Sequence, residues 1–599
     1  MKKIITVLLS VLLIAGLFTS CNGDTDELLF LGGNNPVTTF TVTFNSNGGS
    51  EVASQTVKEG ECATMPATNP TRDGFDFVNW CSDEALNVEY NFNTPVTSDI
   101  TLYANWTPAP FKLVAQEDGV TVKINKSDAT EAPEISLVYR QTNGTGWTEW
   151  TDYTWVSDVG YEIQLNNAEE VEIKAKTTNE SFAKSGYGYY NNHFKLTGKV
   201  AARGNIMFLL DSTGKSTEVP EYCFPELFMG CDTLTEAPAL PALTLGEFCY
   251  QSMFVYCSAL TKAPELPALT LANDCYHQMF AMTSLTEAPA LPATTLANEC
   301  YWCMFMNCSS LTTAPELPAT TLAFKCYADM FNGCTALTKA PVLPATTLAV
   351  SCYAEMFQGC TALETAPARL PAETLAEECY NNMFSGCSSL KTAPELPALT
   401  LAVGCYIQMF KGCSSLTTAP ALPATTLADN CYGGMFENCT LTTAPELPAL
   451  TLAKYCYHQM FKDSLLETAP ALPATTLADD CYNGMFQGCT VLTAVPARLP
   501  ALTLAKSCYT YMFDGCSSLT TAPELPAATL VNSCYSNLFQ NCSSLGYIKM
   551  LATDISASSC LSNWVINVAS TGTFVKNASM TTLPTGNNGI PSGWTVNNL

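Results

Sequence analysis

Histidine is nearly absent: His193, His277 and His458 are the only three in 599 residues, and no two are neighbours in sequence. A His-based catalytic triad or an ordinary zinc site is hard to assemble from so few. Positive charge is scarce as well, with 27 Lys and Arg against 54 Asp and Glu and a formal net charge of −27. Such a chain repels phosphate backbones and anionic lipid surfaces, which argues against nucleic acid as a partner. A Gly-rich phosphate loop, a nucleophile elbow and a calcium loop are all missing from the sequence. With no convergent acid, base or nucleophile groups, the expectation is a binding protein with no cofactor and no metal, not an enzyme.

Long apolar runs are also missing beyond the first twenty residues. There, Lys2 and Lys3 precede an apolar stretch at 4–18, too short for a comfortable membrane span. It reads as an export signal. Its end, Phe18-Thr19-Ser20-Cys21, resembles a bacterial lipobox with Phe where Leu is frequent. The resemblance implies cleavage before Cys21 and a lipid anchor on that cysteine, with residues 1–20 as signal peptide and 21–37 as tether. The acidic residues Asp24, Asp26 and Glu27 resemble the surface-export signal of some Gram-negative lineages, which implies an outer-membrane lipoprotein facing the cell exterior. The bland alternative is an ordinary signal peptide followed by a chance cysteine.

What the sequence has in abundance is cysteine, 29 residues, and most of it is periodic. A 26-residue sentence, such as CYADMFNGCTALTKAPVLPATTLAVS from Cys326, recurs about thirteen times. Its copies open at Cys223, Cys249, Cys275, Cys300, Cys326, Cys352, Cys379, Cys405, Cys431, Cys456, Cys481, Cys508 and Cys534, spaced 25 to 27 apart. A fixed period of this size predicts stacked supersecondary units, because no single unit can bury its own apolar face. The expected fold class is an α/β solenoid, leucine-rich-repeat-like, preceded by small all-β domains.

Within one unit, Leu322, Cys326, Tyr327, Met330 and Phe331 fall at i, i+4, i+5, i+8 and i+9, the apolar stripe of a short helix. Thr321 stands where an N-cap is wanted, and Gly333 where a left-handed C-cap residue is wanted. The column of Gly333 holds Gly or Asn in most copies, with Tyr256, Met282 and Asp463 as exceptions. A strand-like phrase follows, as in Leu337-Thr338-Lys339-Ala340, and then Pro341 and Pro344. Proline donates no ladder bond, so the expected strands are about three residues long and give way to an extended turn. Thirteen rungs at about 4.8 Å each predict an array on the order of 60 Å long.

The phrase Phe331-Asn332-Gly333-Cys334-Thr335-Ala336-Leu337, with its strand and proline turn, resembles the BspA-type leucine-rich repeat of bacterial surface proteins. That resemblance implies cell-surface adhesion and binding of host matrix proteins or other bacteria. Here the expected limits are an N-terminal cap at 201–222, the array at 223–545 and a C-terminal cap at 546–599, and 204–210 reads as a first strand feeding the array.

Upstream, residues 38–107 alternate apolar and polar, turn at Asn47-Gly48-Gly49 and close on Thr101-Leu102-Tyr103-Ala104-Asn105-Trp106. Together these resemble one Listeria–Bacteroides repeat of the internalin B type, which implies a small β-rich stalk unit. Cys62 and Cys81 depart from that pattern and read equally as a disulfide or as two thiols. Residues 108–200 carry three strand-like runs and are expected to form a small sandwich. Trp147, Trp150 and Trp155 lie in it, either as core or as a platform for sugar rings.

The repeat cysteines also leave alternatives open. Copies at Cys275 and Cys456 lack the second cysteine and have Met282-Thr283 and Asp463-Ser464 there. An obligate pairing within each unit would strand their first thiols, which favours buried free-thiol ladders over disulfides or metal. For a binding face, the residue after the first proline gives Glu265, Glu316, Glu395, Glu446 and Glu524, an interrupted acidic column. Nearby strand positions supply Glu236, Lys262, Glu287 and Lys339. The column is either a docking stripe or a solvated face that keeps the sheet from aggregating. The leading expectation is a lipid-anchored adhesin binding a protein or glycan ligand on a host or bacterial surface. The alternative is a carbohydrate-capture lipoprotein that uses the three tryptophans.

Overall fold

A computed structural model describes residues 37–126, 135–142, 144, 146–150, 162–183 and 192–599. The chain forms two compact units, the larger comprising 105–599 with 48–50 and 69–79, the smaller the remainder up to 104. In the first segment, β1 (Thr39–Asn45), β2 (Gln55–Lys58), β3 (Phe75–Cys81) and β4 (Ile100–Pro108) make a sheet in the order β2-β1-β4-β3. Alternation along β1 buries Val42 and Phe44, and Phe44 meets the buried Trp80 edge-on at 4.9 Å. Cys62 is exposed, Cys81 is buried, and both are free thiols.

The next strands are β5 (Lys112–Ala115), β6 (Val120–Lys126), β7 (Leu137–Gln141), β8 (Thr148–Glu149), β9 (Ile163–Leu165), β10 (Glu170–Ala175), β11 (Asn192–Thr197) and β12 (Val200–Arg203). After them come β13 (Glu218–Val219), β14 (Leu234–Glu236) and β15 (Thr244–Leu245). A six-stranded sheet runs β14-β12-β5-β10-β7-β8, over a three-stranded one ordered β11-β6-β9. β14 belongs to the first repeat and pairs in parallel with β12, so the six-stranded sheet ends on the first strand of the array. The expected strand at 204–210 is instead a 3-10 turn, Ile206–Leu209, whose start is capped by the Asn205 side chain accepting from Met207 N. Val200–Arg203 is the strand that feeds the repeats.

The helix expected after each proline turn does not form; among the described residues there is no α-helix at all. The reason lies in the period. Lys325, Asp329 and Gly333 all take left-handed backbone, with φ of 49°, 53° and 74°, one residue in four. Amides then alternate between two tasks. Ala328, Met330, Asn332 and Cys334 close turns onto the carbonyl three residues back. Tyr327, Asp329, Phe331 and Gly333 donate instead to Cys352, Ala354, Met356 and Gln358 of the following rung, at 2.8 to 3.0 Å. Half of these donors therefore have no partner unless the next repeat is in place. The apolar stripe is real, but its period is four, which puts Cys326, Met330 and Cys334 in one inward row and Tyr327 and Phe331 in another.

Identical rows stack. Tyrosine rings from Tyr250 to Tyr535 follow one another at 5.6 to 6.0 Å between centroids. Phenylalanines from Phe228 to Phe539 do the same at 5.5 to 5.8 Å. These offset-stacked columns, with the Cys, Met and Leu columns beside them, are the core. Every described cysteine is a free thiol, and the array thiols are all buried. The free-ladder reading is the one found, and no disulfide is present among the described residues.

The stack continues past the point where the repeat phrase dissolves. Tyr535, Asn537, Phe539 and Asn541 donate to Cys560, Ser562, Trp564 and Ile566 at 2.8 to 3.0 Å. Three parallel strands then finish the chain: β16 (Tyr547–Met550), β17 (Thr573–Lys576) and β18 (Thr595–Asn598), in that order in their sheet.

Candidate interaction surface

Strand positions of the repeats pair one residue at a time. Lys262 bridges Glu287, Glu287 bridges Thr313, and Lys339 bridges Thr365, all in parallel. The brevity follows from the prolines, which remove the next ladder donor. Lys262, Glu287 and Lys339 project into solvent from this column, and Glu265, Glu316, Glu395 and Glu446 from the proline loops beside it. Glu236 and Glu524 are half-buried and already engaged. Arg203 binds both Glu236 oxygens at 2.8 Å, and that hydrogen bonding holds the Glu236 carboxyl below its ordinary value. Glu524 lies 2.7 Å from Lys549 and 3.5 Å from Arg498. The predicted acidic column is thus a solvent-facing row in its middle, neutralised at both ends.

Two grooves open along this face. One, of about 570 Å³, lies between 312–318 and 338–344, with Pro315, Leu317, Pro341 and Val342 in its walls and Glu316 and Lys339 beside them. The other, of about 390 Å³, lies between 262–267 and 287–292 and carries Lys262, Glu265 and Glu287. Val342 is 77% exposed, a large apolar side chain with nothing over it.

Sequence reading missed what closes this face elsewhere. Two repeats hold an extra residue between their prolines, Arg369 and Arg498, and there the loops pair. Glu395 N donates to Ala368 O at 3.0 Å and Leu370 N to Glu395 O at 3.1 Å. Glu524 and Leu499 repeat the arrangement with Ala497 and Glu524, at 2.9 and 3.1 Å. The signal was present as the two 27-residue spacings, Cys352 to Cys379 and Cys481 to Cys508. A polar knot on the turn side was missed too. His277 stacks on Trp302 at 4.4 Å and contacts Gln251 Nε2 at 3.2 Å, and Trp302 Nε1 donates to Asp329 Oδ2 at 3.3 Å. Burial pushes the nearby Glu299 and Glu355 carboxyls up. Its only trace in the sequence is the adjacent pair of rings His277 and Trp302 in a column whose residue type varies from Ala328 and Gly433 to Ile407 and His458.

Of the three tryptophans, two lie among the described residues, and they sit in different surroundings. Trp150 is 2% exposed and packs edge-on against Tyr139 at 5.5 Å, so its ring is core. Trp147 is 39% exposed, but Lys174 Nζ sits 4.2 Å and Arg140 Cζ 4.9 Å from its ring centre. Trp155 and Cys21 lie outside the described residues. No group of His, Cys, Asp and Glu among the described residues is arranged to hold a metal, and no described helix is long and apolar enough to cross a membrane.

Comparison with known proteins fits this organisation. Residues 40–105 match the Listeria-Bacteroides repeat domain, and residues 325–467 and 481–573 match the BspA type leucine rich repeat region in six copies. Two Evansella cellulosilytica proteins, provisionally named a Gly-rich membrane protein and a membrane protein, are similar at 36% identity over 81 residues and 38% over 107. Those stretches are 13% and 18% of this chain, which spans only 9% and 15% of the two relatives. Among solved structures, a leucine-rich repeat protein of Bacteroides ovatus is 15% identical with a TM-score of 0.29, over 71% of this chain and 85% of that one. Another from Eubacterium ventriosum is 15% identical with a TM-score of 0.24, over 66% and 94%.

Proposed function

We propose that this chain, which carries BspA type leucine-rich repeats behind one Listeria-Bacteroides repeat, is a lipid-anchored cell-surface adhesin whose repeats form one continuous solenoid. Proteins built on such repeats serve in protein interaction, and the similar membrane proteins agree with a surface location. In this reading Cys21 bears the lipid, the membrane is touched only through it, and the Listeria-Bacteroides repeat holds the array away from the cell. The array then binds a host or bacterial macromolecule through its strand and proline-loop face.

The observation that carries the reading is that face: a row of exposed Glu and Lys beside two open apolar grooves. A solvated face that served only solubility has no need of Val342 at 77% exposure or of open grooves between proline walls. The full mature chain, immobilised through its C-terminus, is exposed to host matrix proteins, a glycan array and bacterial envelopes. Retention of a protein or envelope component by the folded chain is expected; a folded chain that retains nothing ends the reading. Cys21→Ser separately moves the chain from the membrane to the soluble fraction if the anchor is as proposed.

A further inference from the structure

The proline loops pair with one another at some rungs and not at others. At the start of the array Ala239 N donates to Gly204 O at 2.9 Å, and the Arg369 and Arg498 rungs pair as described. Between those closures the corresponding amides of Glu265, Ala290, Glu316 and Val342 donate to no group of the described chain. The difference is one residue. Pro367 and Pro371 enclose three residues, whereas Pro341 and Pro344 enclose two. Where two of the shorter loops are neighbours, as from Glu265 to Val342, neither bonds to the other, so they stay extended and splayed, with their donors facing solvent.

We propose that these splayed loops take an extended segment of a partner protein as an added strand, most fully in the groove between 312–318 and 338–344. The inference rests on the reading of this face as the interaction surface and names what it would bind. Main-chain pairing with an exposed edge gives such recognition its affinity, and side-chain pockets give it selectivity. Here the edge is already ordered, because proline fixes the backbone in an extended form before anything binds. The Pro315, Leu317, Pro341 and Val342 walls accept apolar side chains on alternate positions. Charge sets the rest. Each groove offers a lysine of the strand column and a glutamate of the loop column, Lys339 with Glu316 and Lys262 with Glu265; none is in a salt bridge among the described residues, although Lys262 and Glu265 feel the charges of Asp73 and Arg72. The complementary segment is an extended peptide with alternating apolar residues flanked by one acidic and one basic side chain. The Arg369 and Arg498 insertions mark where the array occupies its own edge instead.

The test uses the chain's own device. An arginine inserted between Val342 and Leu343 copies the Ala368-Arg369-Leu370 loop and should close the larger groove. Random peptides displayed on phage are selected on the full chain, and selected peptides are measured by titration. Extended sequences of the stated pattern are expected to emerge, to lose about tenfold or more in affinity on the insertion variant, and to prefer charge-reversed partners on Lys339→Glu. Should the insertion disturb folding, Val342→Arg, at an exposed side chain, blocks the same groove. Selection of no extended peptide, or of peptides indifferent to both the insertion and Val342→Arg, overturns the proposal. If the variant chain still captures its surface partner while losing no affinity, the adhesin reading stands and this inference alone falls.

Discussion

Cys334 Sγ donates to the carbonyl of Phe305, 3.0 Å away in the preceding rung. The same bond recurs from Cys360 to Phe331, Cys387 to Phe357 and Cys413 to Phe384, at 3.0 to 3.1 Å. The second cysteine column is therefore a column of donors as well as small apolar side chains. The two copies that lack the cysteine keep a hydroxyl there but not the bond to the preceding rung: Thr283 Oγ1 donates within its own rung to Phe280 O at 2.8 Å, and Ser464 Oγ meets Cys489 Sγ of the following rung at 3.3 Å. Phe305 O also accepts from Cys308 N at 3.0 Å, so removing the thiol leaves it half-satisfied. Cys334→Ala is expected to cost about 1–2 kcal/mol, from the lost bond and a small void. Cys334→Ser keeps a donor and should cost less than about 1 kcal/mol. Denaturant titration of the full chain under reducing conditions compares them, and equal costs would mean that the thiol acts by packing alone.

Burial raises the array thiols. Cys326, Cys379 and Cys439 are pushed up from 9.0 to about 12, with desolvation the largest cause in each. Two outcomes follow. Native alkylation at pH 8 should label Cys62, the one exposed cysteine among those described, and reach the array only after denaturation. Stability should also be fully present below pH 9, since the unfolded chain then keeps its thiol protons too. As pH climbs from 9 towards 12 the unfolded chain releases them and the folded chain does not. Each buried thiol then removes up to about 1.4 kcal/mol per pH unit. A melting temperature that holds level from pH 9 to 11 contradicts this account.

Left-handed backbone recurs once in four residues, and the cost of that conformation differs with the side chain. Gly386 has φ 75°, and a Cβ there would meet the Gly359 Cα and N, both at an ordinary 3.6 Å. Gly386→Ala therefore reports the conformational cost with little steric admixture, and about 1–2 kcal/mol of destabilisation is expected. Tyr256 holds the same column position at φ 64° and is 52% exposed. Tyr256→Gly should stabilise by up to about 1 kcal/mol, offset in part by the lost contact of its ring. Paired thermal melts read the two signs, and a Tyr256→Gly variant that melts clearly lower would show that the ring's packing outweighs the backbone.

Much of this was legible and one part was not, for a physical reason. The Gly333 column announced left-handed backbone correctly, even at its exceptions, since Met282 and Asp463 adopt φ of 59° and 56°. The stacking of repeats was legible because Cys326, Tyr327, Met330 and Phe331 recur with the period itself. Helix against turn was not. Over the eight steps from Leu322 to Met330, a four-residue period drifts from a helical one by only about 80°, so both leave one apolar stripe. What decides between them is the amide that bonds to the next rung, a partner about 25 residues away that no local pattern displays. The candidate face was half legible: its charges stood in the columns, but the grooves arise from loop length between prolines, where one inserted arginine changes the pairing.

Trp564 closes the far end of the phenylalanine column. It lies 6.2 Å from Phe539 and 6.1 Å from Phe574, is fully buried, and donates through Nε1 to Gly589 O at 2.9 Å. Each rung touches only its neighbours, so damage at one end should spread inward rung by rung instead of lowering the whole stack at once. Trp564→Ala removes the largest side chain of that end and is expected to cost about 3–5 kcal/mol locally. Hydrogen exchange should accelerate first at Tyr547–Met550 and Thr573–Lys576, then at the Tyr535 rung, while amides near Tyr250 and Met253 keep their protection. A loss of protection equal at both ends would mean that the repeats melt as a single unit, and the nearest-neighbour account of the stack would have to be abandoned.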